Sequence, residues 1–181
     1  VSKFISKFID LSAFGKNLIE GILKIAIFIG YTALTALTKD IRRTYEYHGA
    51  EHKTIACYEH EEELTVENVK KYTRFHPRCG TSFIFLVLFI SIFVNTIFRV
   101  SWASILLRVV IKIALLPIVT GIAYELIRLA GKYDNIFTKI ISAPGLWIQR
   151  ITTSEPDESQ IECAIAALKA CIPENKEDDK W

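Results

Sequence analysis

Thr81-Ser-Phe-Ile-Phe-Leu-Val-Leu-Phe-Ile-Ser-Ile-Phe-Val-Asn-Thr-Ile-Phe98 is a run of 18 residues without a single charge. A bilayer-crossing helix needs about 20 predominantly apolar residues. A helix that is apolar on every face has no side to present to water. The run therefore predicts a membrane-embedded helix, and the fold is read outward from it.

Two further apolar stretches flank it. Residues 17–38 are apolar from Leu18 onward, and residues 103–127 are most apolar over Val109–Leu126. Both contain charges: Glu20 and Lys24 in the first, Arg108, Lys112 and Glu125 in the second. Ionisable groups at that depth face a protein interior or reach for the interface. Lys24 and Arg108 are long enough to snorkel, and Glu125 is not. The competing reading of these two stretches is a pair of buried helices in a soluble core.

Charge sets the orientation. The segment 39–80 carries Lys39, Arg42, Arg43, Lys53, Lys70, Lys71, Arg74 and Arg78, residues 128–181 carry seven Lys or Arg, and the turn 99–102 has Arg99 alone. By the positive-inside rule the 39–80 loop and the C-terminal tail are cytosolic, and the turn is outside. Val1 then lies outside if the first stretch crosses fully. The expected fold is all-α: a polytopic helical protein of a bacterial cytoplasmic membrane, one domain over 1–181. It has about three membrane-embedded helices (17–38, 81–98, 103–127), a cytosolic helical loop (39–80) and a cytosolic or interfacial helical tail (128–181).

Within the tail, Pro144-Gly145 interrupts residues 134–150, which predicts two interfacial helices displaying Phe137 and Trp147. Thr152-Thr-Ser-Glu-Pro-Asp-Glu158 reads as a polar turn with capping residues. Ile161, Ala164, Ile165, Leu168 and Ile172 follow at helical spacing. A net charge of +2 with no basic stripe excludes a nucleic-acid partner. The four cysteines, Cys57, Cys79, Cys163 and Cys171, form no dense framework, so reduced thiols or metal ligands are expected rather than disulfides. The chain starts at Val1 and has no Met, which reads as a start codon rendered literally or as a fragment. Residues 1–16 do not resemble a secretory signal.

The chemistry concentrates in the loop. Residues 40–60 read as a helix continuing from the first span. On it His48 and His52 are four residues apart and share a face, with Glu51 beside them and Glu59 further along the same stripe. Gly49-Ala50 keeps one flank small enough for a second element to approach. His48-Gly-Ala-Glu51-His52 is the inverted zincin pattern, in which two imidazoles bind zinc and the carboxylate is the general base for a metal-activated water. Thr65 is placed to cap a short helix. His76-Pro-Arg-Cys79 then has the two-residue gap of a metal-binding hook, with Gly80 behind it. His60, next to Glu61-Glu62-Glu63, reads as a solvated face.

Two ligand sets follow. A closed set of His48, His52, His76 and Cys79 is a structural site. An open set of His48, His52 and a distant carboxylate, Glu125, leaves Glu51 free to act as base. Glu125 has a competing use as the ion-pair partner of Arg128. Arg74 and Arg78 serve an anionic headgroup or act as positive-inside anchors.

Three strings, Tyr47-His-Gly-Ala-Glu-His-Lys-Thr54, Leu64-Thr-Val-Glu-Asn-Val69 and His76-Pro-Arg-Cys-Gly-Thr-Ser82, resemble the YqhQ-like family of bacterial membrane proteins. The likeness continues through Leu116-Pro117, Gly121-Ile-Ala-Tyr-Glu125, Ala143-Pro-Gly-Leu-Trp-Ile-Gln-Arg150, Thr152-Thr153, Glu155-Pro156 and 162–169, nearly the whole chain. The resemblance implies a metal-dependent enzyme without a defined substrate. It also implies a longer N-terminal region that is missing here. The expected function is a zinc-dependent hydrolase at the cytosolic membrane surface, acting on a membrane-protein or lipid-linked substrate. The rival is a non-catalytic scaffold or biogenesis factor with a structural metal; a transporter ranks below both. Beyond the bilayer, the expected partners are a second copy of the chain or the missing N-terminal region.

Overall fold

The computed structural model describes residues 13–97, 104–133 and 135–173. The described residues form seven α-helices and no strand. These are α1 Ala13–Thr35, α2 Lys39–Glu59, α3 Val66–Lys70, α4 Gly80–Ile97, α5 Ile105–Lys132, α6 Ile136–Thr152 and α7 Glu158–Cys171. The expected all-helical class holds. Val1, the side chain of Arg108, the turn 99–102 and residue 98 of the central apolar run lie outside the described residues.

The helices sort into two groups. One is α4 packed against α1, α5 and α6. The other is α2 packed against α3 and α7 around Ala50, Cys57, Val69, Ile161 and Ile165, with Leu64, Val66, Tyr72 and Ala164 at its edge. The apolar face read at Ile161, Ala164 and Ile165 is thus used within the chain.

The first apolar stretch does not run on into the loop helix. Thr32, Thr35 and Thr38 donate their hydroxyls to the carbonyls of Phe28, Thr32 and Thr35 at 2.8, 3.0 and 2.8 Å. Such back-bonding competes with the helix ladder and bends it. Thr38 is extended (φ −79°, ψ 140°), and α2 starts afresh at Lys39. The second difference is α6. It continues through Pro144 as one helix rather than two, because tertiary contact with α4 offsets the lost N–H. A Cβ on Gly145 would stand 2.6 Å from the Ser82 Cβ and Oγ, so the glycine allows that close approach. α5 likewise passes through Pro117. One turn on, Thr120 donates its hydroxyl to the carbonyls of Leu116 and Pro117 at 2.9 and 3.1 Å, the back-bonding also seen at the end of α1.

The caps agree with the sequence. The Thr65 hydroxyl accepts from the Asn68 N–H at 3.3 Å. Asp157 and Gln160 form a reciprocal capping box that starts α7.

Leu18–Thr35 and Val109–Lys132 are long and apolar enough to cross a membrane, and Gly80–Asn95 is a shorter apolar stretch. Only 11% of each of the two longer windows is buried, so their apolar faces find little cover among the described residues. Exposed Ile22, Ile27, Leu34, Phe89, Phe93, Val110, Ile113 and Ile118 lie along these helices. Their charges pair with one another: Glu20 lies 2.7 Å from Lys24 and 3.9 Å from Lys112 across the α1–α5 gap.

Candidate metal centre

α2 presents His48 and His52 on one face, and the turn before α4 brings Cys79 to them. One donor atom from each of the three lies within 4.8 Å of the others. The approach of the elements depends on size. Ala50 is fully buried, and a Cβ on Gly49 would collide with the Ser154 carbonyl oxygen. Ser154 also donates its N–H to the Tyr45 carbonyl at 2.9 Å. The small pair read from the sequence therefore admits the α6–α7 linker against α2.

Backbone carbonyls orient both imidazoles. His48 Nδ1 donates to the Thr152 carbonyl at 2.8 Å, and His52 Nδ1 donates to the Arg74 carbonyl at 2.6 Å. Each bond fixes the ring and leaves Nε2 as the free donor atom, the usual outer support of a metal-ligating histidine. His48 Nε2 lies 3.2 Å from Cys79 Sγ. The Thr81 hydroxyl lies 3.1 Å from the same sulfur and 3.4 Å from the Thr152 hydroxyl. Cys79 also starts α4, its carbonyl accepting from the Phe83 N–H at 3.0 Å.

The electrostatics favour a thiolate. Burial opposes charge on Cys79, but hydrogen bonds from His48, His52 and Thr81 outweigh it and bring the thiol from 9.0 down to about 5. Burial likewise disfavours the charged form of His48. Its bonds to Cys79 and to the Thr152 carbonyl overcome that and raise its pKa. Both shifts favour the thiolate on Cys79 and the protonated form of His48, and a cation binding there would displace the proton.

The donor set fits zinc. In tetrahedral geometry with Zn–N of about 2.0–2.1 Å and Zn–S of about 2.3 Å, ligand atoms stand roughly 3.3–3.6 Å apart. The cluster reaches that spacing with side-chain shifts of about an ångström. Two imidazoles and one thiolate are three protein ligands, which leave one position of a tetrahedron open.

His76 and Glu125 fall elsewhere. The His76 ring centroid is 5.7 Å from that of His52, but both ring nitrogens are engaged. Nδ1 accepts from the Arg78 N–H at 3.3 Å, and Nε2 faces Glu59 Oε2 at 3.4 Å. Glu59 in turn pairs with Arg78. Burial raises the Glu59 carboxyl, but the His76 hydrogen bond and the His76 and Arg78 charges prevail and lower its pKa. Glu125, offered as a distant ligand, instead pairs with Arg128 at 3.5 Å on the exposed flank of α5. The two are one helical turn apart, and that short reach prevails. Glu51 is exposed and lines the same cleft of about 880 Å³ as His48, His52, His76 and Cys79. His60 is exposed and lies against the Tyr72 ring at 4.9 Å.

One residue had no role in the sequence reading. Gln149 is fully buried and clamps the hook. Its Oε1 accepts from the His76 N–H at 2.8 Å, and its Nε2 donates to the His76 carbonyl at 2.6 Å and to the Ser82 hydroxyl at 2.8 Å. Its only signal was a polar residue inside the apolar string 143–150.

No solved structure matches this chain. It is 42% identical over 155 residues to the uncharacterized protein YqhQ of Bacillus subtilis (strain 168), an alignment covering 85% of this chain and 48% of that relative. The chain thus spans about half the length of the curated relative it matches. A family described as protein of unknown function (DUF1385) matches residues 1–174. With the YqhQ-like resemblance borne out over nearly its whole length, the chain belongs to the DUF1385 family.

Proposed function

We propose that His48, His52 and Cys79 hold a divalent metal, zinc by ligand type, and that the chain carries out hydrolysis at the cytosolic face of the bacterial cytoplasmic membrane. The observation that carries this reading is the convergence of three donor atoms within 4.8 Å in a cleft that Glu51 also lines. When bound, the ion supplies Lewis acidity and makes water acidic enough to attack near neutral pH. Glu51 is the group that accepts a proton from water in the cleft. The Thr152 and Arg74 carbonyls keep His48 and His52 in the ligating tautomer. Thr81 stabilises the Cys79 thiolate.

Membrane embedding rests on the exposed apolar faces of α1, α4 and α5, since soluble chains rarely expose contiguous apolar area on this scale. The basic residues of 39–80 and of the tail favour the cytosolic side for α2, α3 and α7. Exposed Cys163 and Cys171 are native reporters. A membrane-impermeant maleimide should label them in inverted vesicles and not in intact cells, and the opposite pattern would reverse the orientation.

The metal is tested by elemental analysis of the purified protein with H48A and C79A. Metal content unchanged in both variants removes the premise. Glu51→Gln should keep the metal and abolish turnover. The second reading is a structural metal in a scaffold, and it is favoured by the proximity of His76 to His52. A coordination sphere of four protein ligands would establish it in place of the hydrolase.

A further inference from the structure

His76 lines the same cleft as His48, His52 and Cys79 but is not among the converging donors. Distance is not what excludes it. Two imidazoles on one tetrahedral zinc, each centred about 3.2 Å from the ion, stand roughly 5 Å apart centre to centre. The rings of His48 and His76 stand 4.3 and 5.7 Å from that of His52, on either side of that value. The backbone at His76 is fixed, since Gln149 holds both its N–H and its carbonyl. Whether His76 joins the cluster is therefore decided by how its ring is turned and by which nitrogen has a lone pair to offer.

Neither nitrogen does. Nδ1 accepts from the Arg78 N–H at 3.3 Å, so the neutral ring carries its proton on Nε2. That proton faces Glu59 Oε2 at 3.4 Å. The Glu59 carboxylate is itself held by the Arg78 guanidinium, whose stem lies against the bare backbone of Gly131 in α5. Glu59 stands seven residues beyond His52 on α2, two turns along the stripe that carries both ligands. One helix face thus presents two ligands and the carboxylate that occupies the next imidazole. Both bonds to the ring are long, so the ring is restrained and not locked.

We propose that Glu59, anchored by Arg78, is a positioning residue that keeps His76 off the metal and so keeps the fourth coordination position open. This role, which rests on the zinc site proposed above, names what separates the open three-ligand set from the closed four-ligand set. With Glu59 removed, the Nε2 proton loses its acceptor. The ring then gives up the Arg78 N–H, takes the Nδ1–H tautomer and turns its Nε2 lone pair to the cluster.

The test uses the full chain in detergent with cobalt in place of zinc, and azide as the probe of an open position. Azide should change the visible spectrum of the parent. It should leave unchanged that of Glu59→Leu, which keeps most of the side-chain bulk and accepts no hydrogen bond. X-ray absorption of the zinc forms should count two imidazoles in the parent and three in Glu59→Leu. Competition with a chromophoric chelator should show zinc held at least tenfold more tightly by the variant. A merely structural Glu59 would give the opposite sign, looser zinc with the parent's ligand count. Glu59→Gln keeps an acceptor for His76 and should behave as the parent. Glu59→Leu/His76→Ala should regain the azide response, which identifies His76 as the added ligand. Glu59→Ala runs alongside with the same expectations as Glu59→Leu, and a side chain that is 36% exposed can be lost without unfolding the chain. Three imidazoles in the parent, or a parent spectrum that ignores azide, overturns the role of Glu59. So does a zinc-bound Glu59→Leu or Glu59→Ala with the parent's ligand count and azide response, and that result leaves the metal site standing. A parent that takes up neither zinc nor cobalt removes the site itself, and this role with it.

Discussion

Replacing Gln149 with Leu keeps most of the side-chain volume and removes all three hydrogen bonds that clamp the hook. The His76 N–H and C=O are then left in a buried position without a partner. Each orphaned group costs about 1–3 kcal/mol, and the added apolar contact recovers part of it, so the net loss should be about 2–4 kcal/mol. For a chain of this length that corresponds to a fall in Tm on the order of 5–15 °C. The hook also carries Cys79, so zinc affinity should fall by roughly 10–100-fold, the usual effect of losing an outer support. Thermal unfolding in detergent gives the first quantity, and competition with a chromophoric chelator gives the second. Ile148→Val is the control. Ile148 is fully buried beside Gln149 and should cost about 0.5–1.5 kcal/mol without changing zinc affinity. A Q149L protein that melts within about 2 °C of the parent and binds zinc equally well would refute the clamp.

Gly49→Ala drives a Cβ into the Ser154 carbonyl oxygen, a backbone atom that cannot swing aside. The expected loss is about 1–3 kcal/mol, read by thermal unfolding; a neutral substitution would show that α2 and the α6–α7 linker do not meet there. In metal-free protein the ultraviolet absorbance of the Cys79 thiolate should titrate near pH 5 rather than 9.0, and H48A should move the midpoint back upward. Because the folded value is the lower one, the stability that Cys79 contributes is complete only above pH 9, declines as pH falls and is gone once pH has passed below about 5. Glu59 also has a lowered pKa. Its contribution is in place above the ordinary carboxyl value and lost as pH falls through the depressed one. Glu59→Gln should therefore flatten the acid limb of a pH–stability profile below about pH 4.5, and an unchanged limb would place the acid sensitivity elsewhere.

The sequence carried the cluster because helical spacing is a strong constraint. His48 and His52 four residues apart must share a face, and Gly49-Ala50 must leave that flank open. The hook was legible through Cys79, which starts α4 at the foot of the apolar run. His76 was harder to read, because spacing says nothing of which ring nitrogen is already bonded. Glu59 and Arg78 claim it through contacts set by the folded turn. The Thr-rich end of α1 looked like apolar continuation because threonine is neutral in hydropathy. Its back-bonding hydroxyls become visible only with the backbone in place. Pro144 misled for the opposite reason: a strong local breaker was overridden by packing against α4. Glu125 followed the shortest available ion pair rather than a distant cluster.

The division of the helices into two groups has a mechanical consequence. His48 and His52 belong to the unit built on α2, α3 and α7, and Cys79 starts α4 in the other. A cation gripping all three would rivet one cooperative unit to the other. Ligation adds about 4.1 kcal/mol when the free ligand is at 1,000 times its Kd, and that energy would fall across the seam rather than inside either core. Chelation should then loosen the joint first, so that the α2–α3–α7 unit swings or frays while α4–α6 stay packed. Hydrogen exchange would register this as two foldons replacing one.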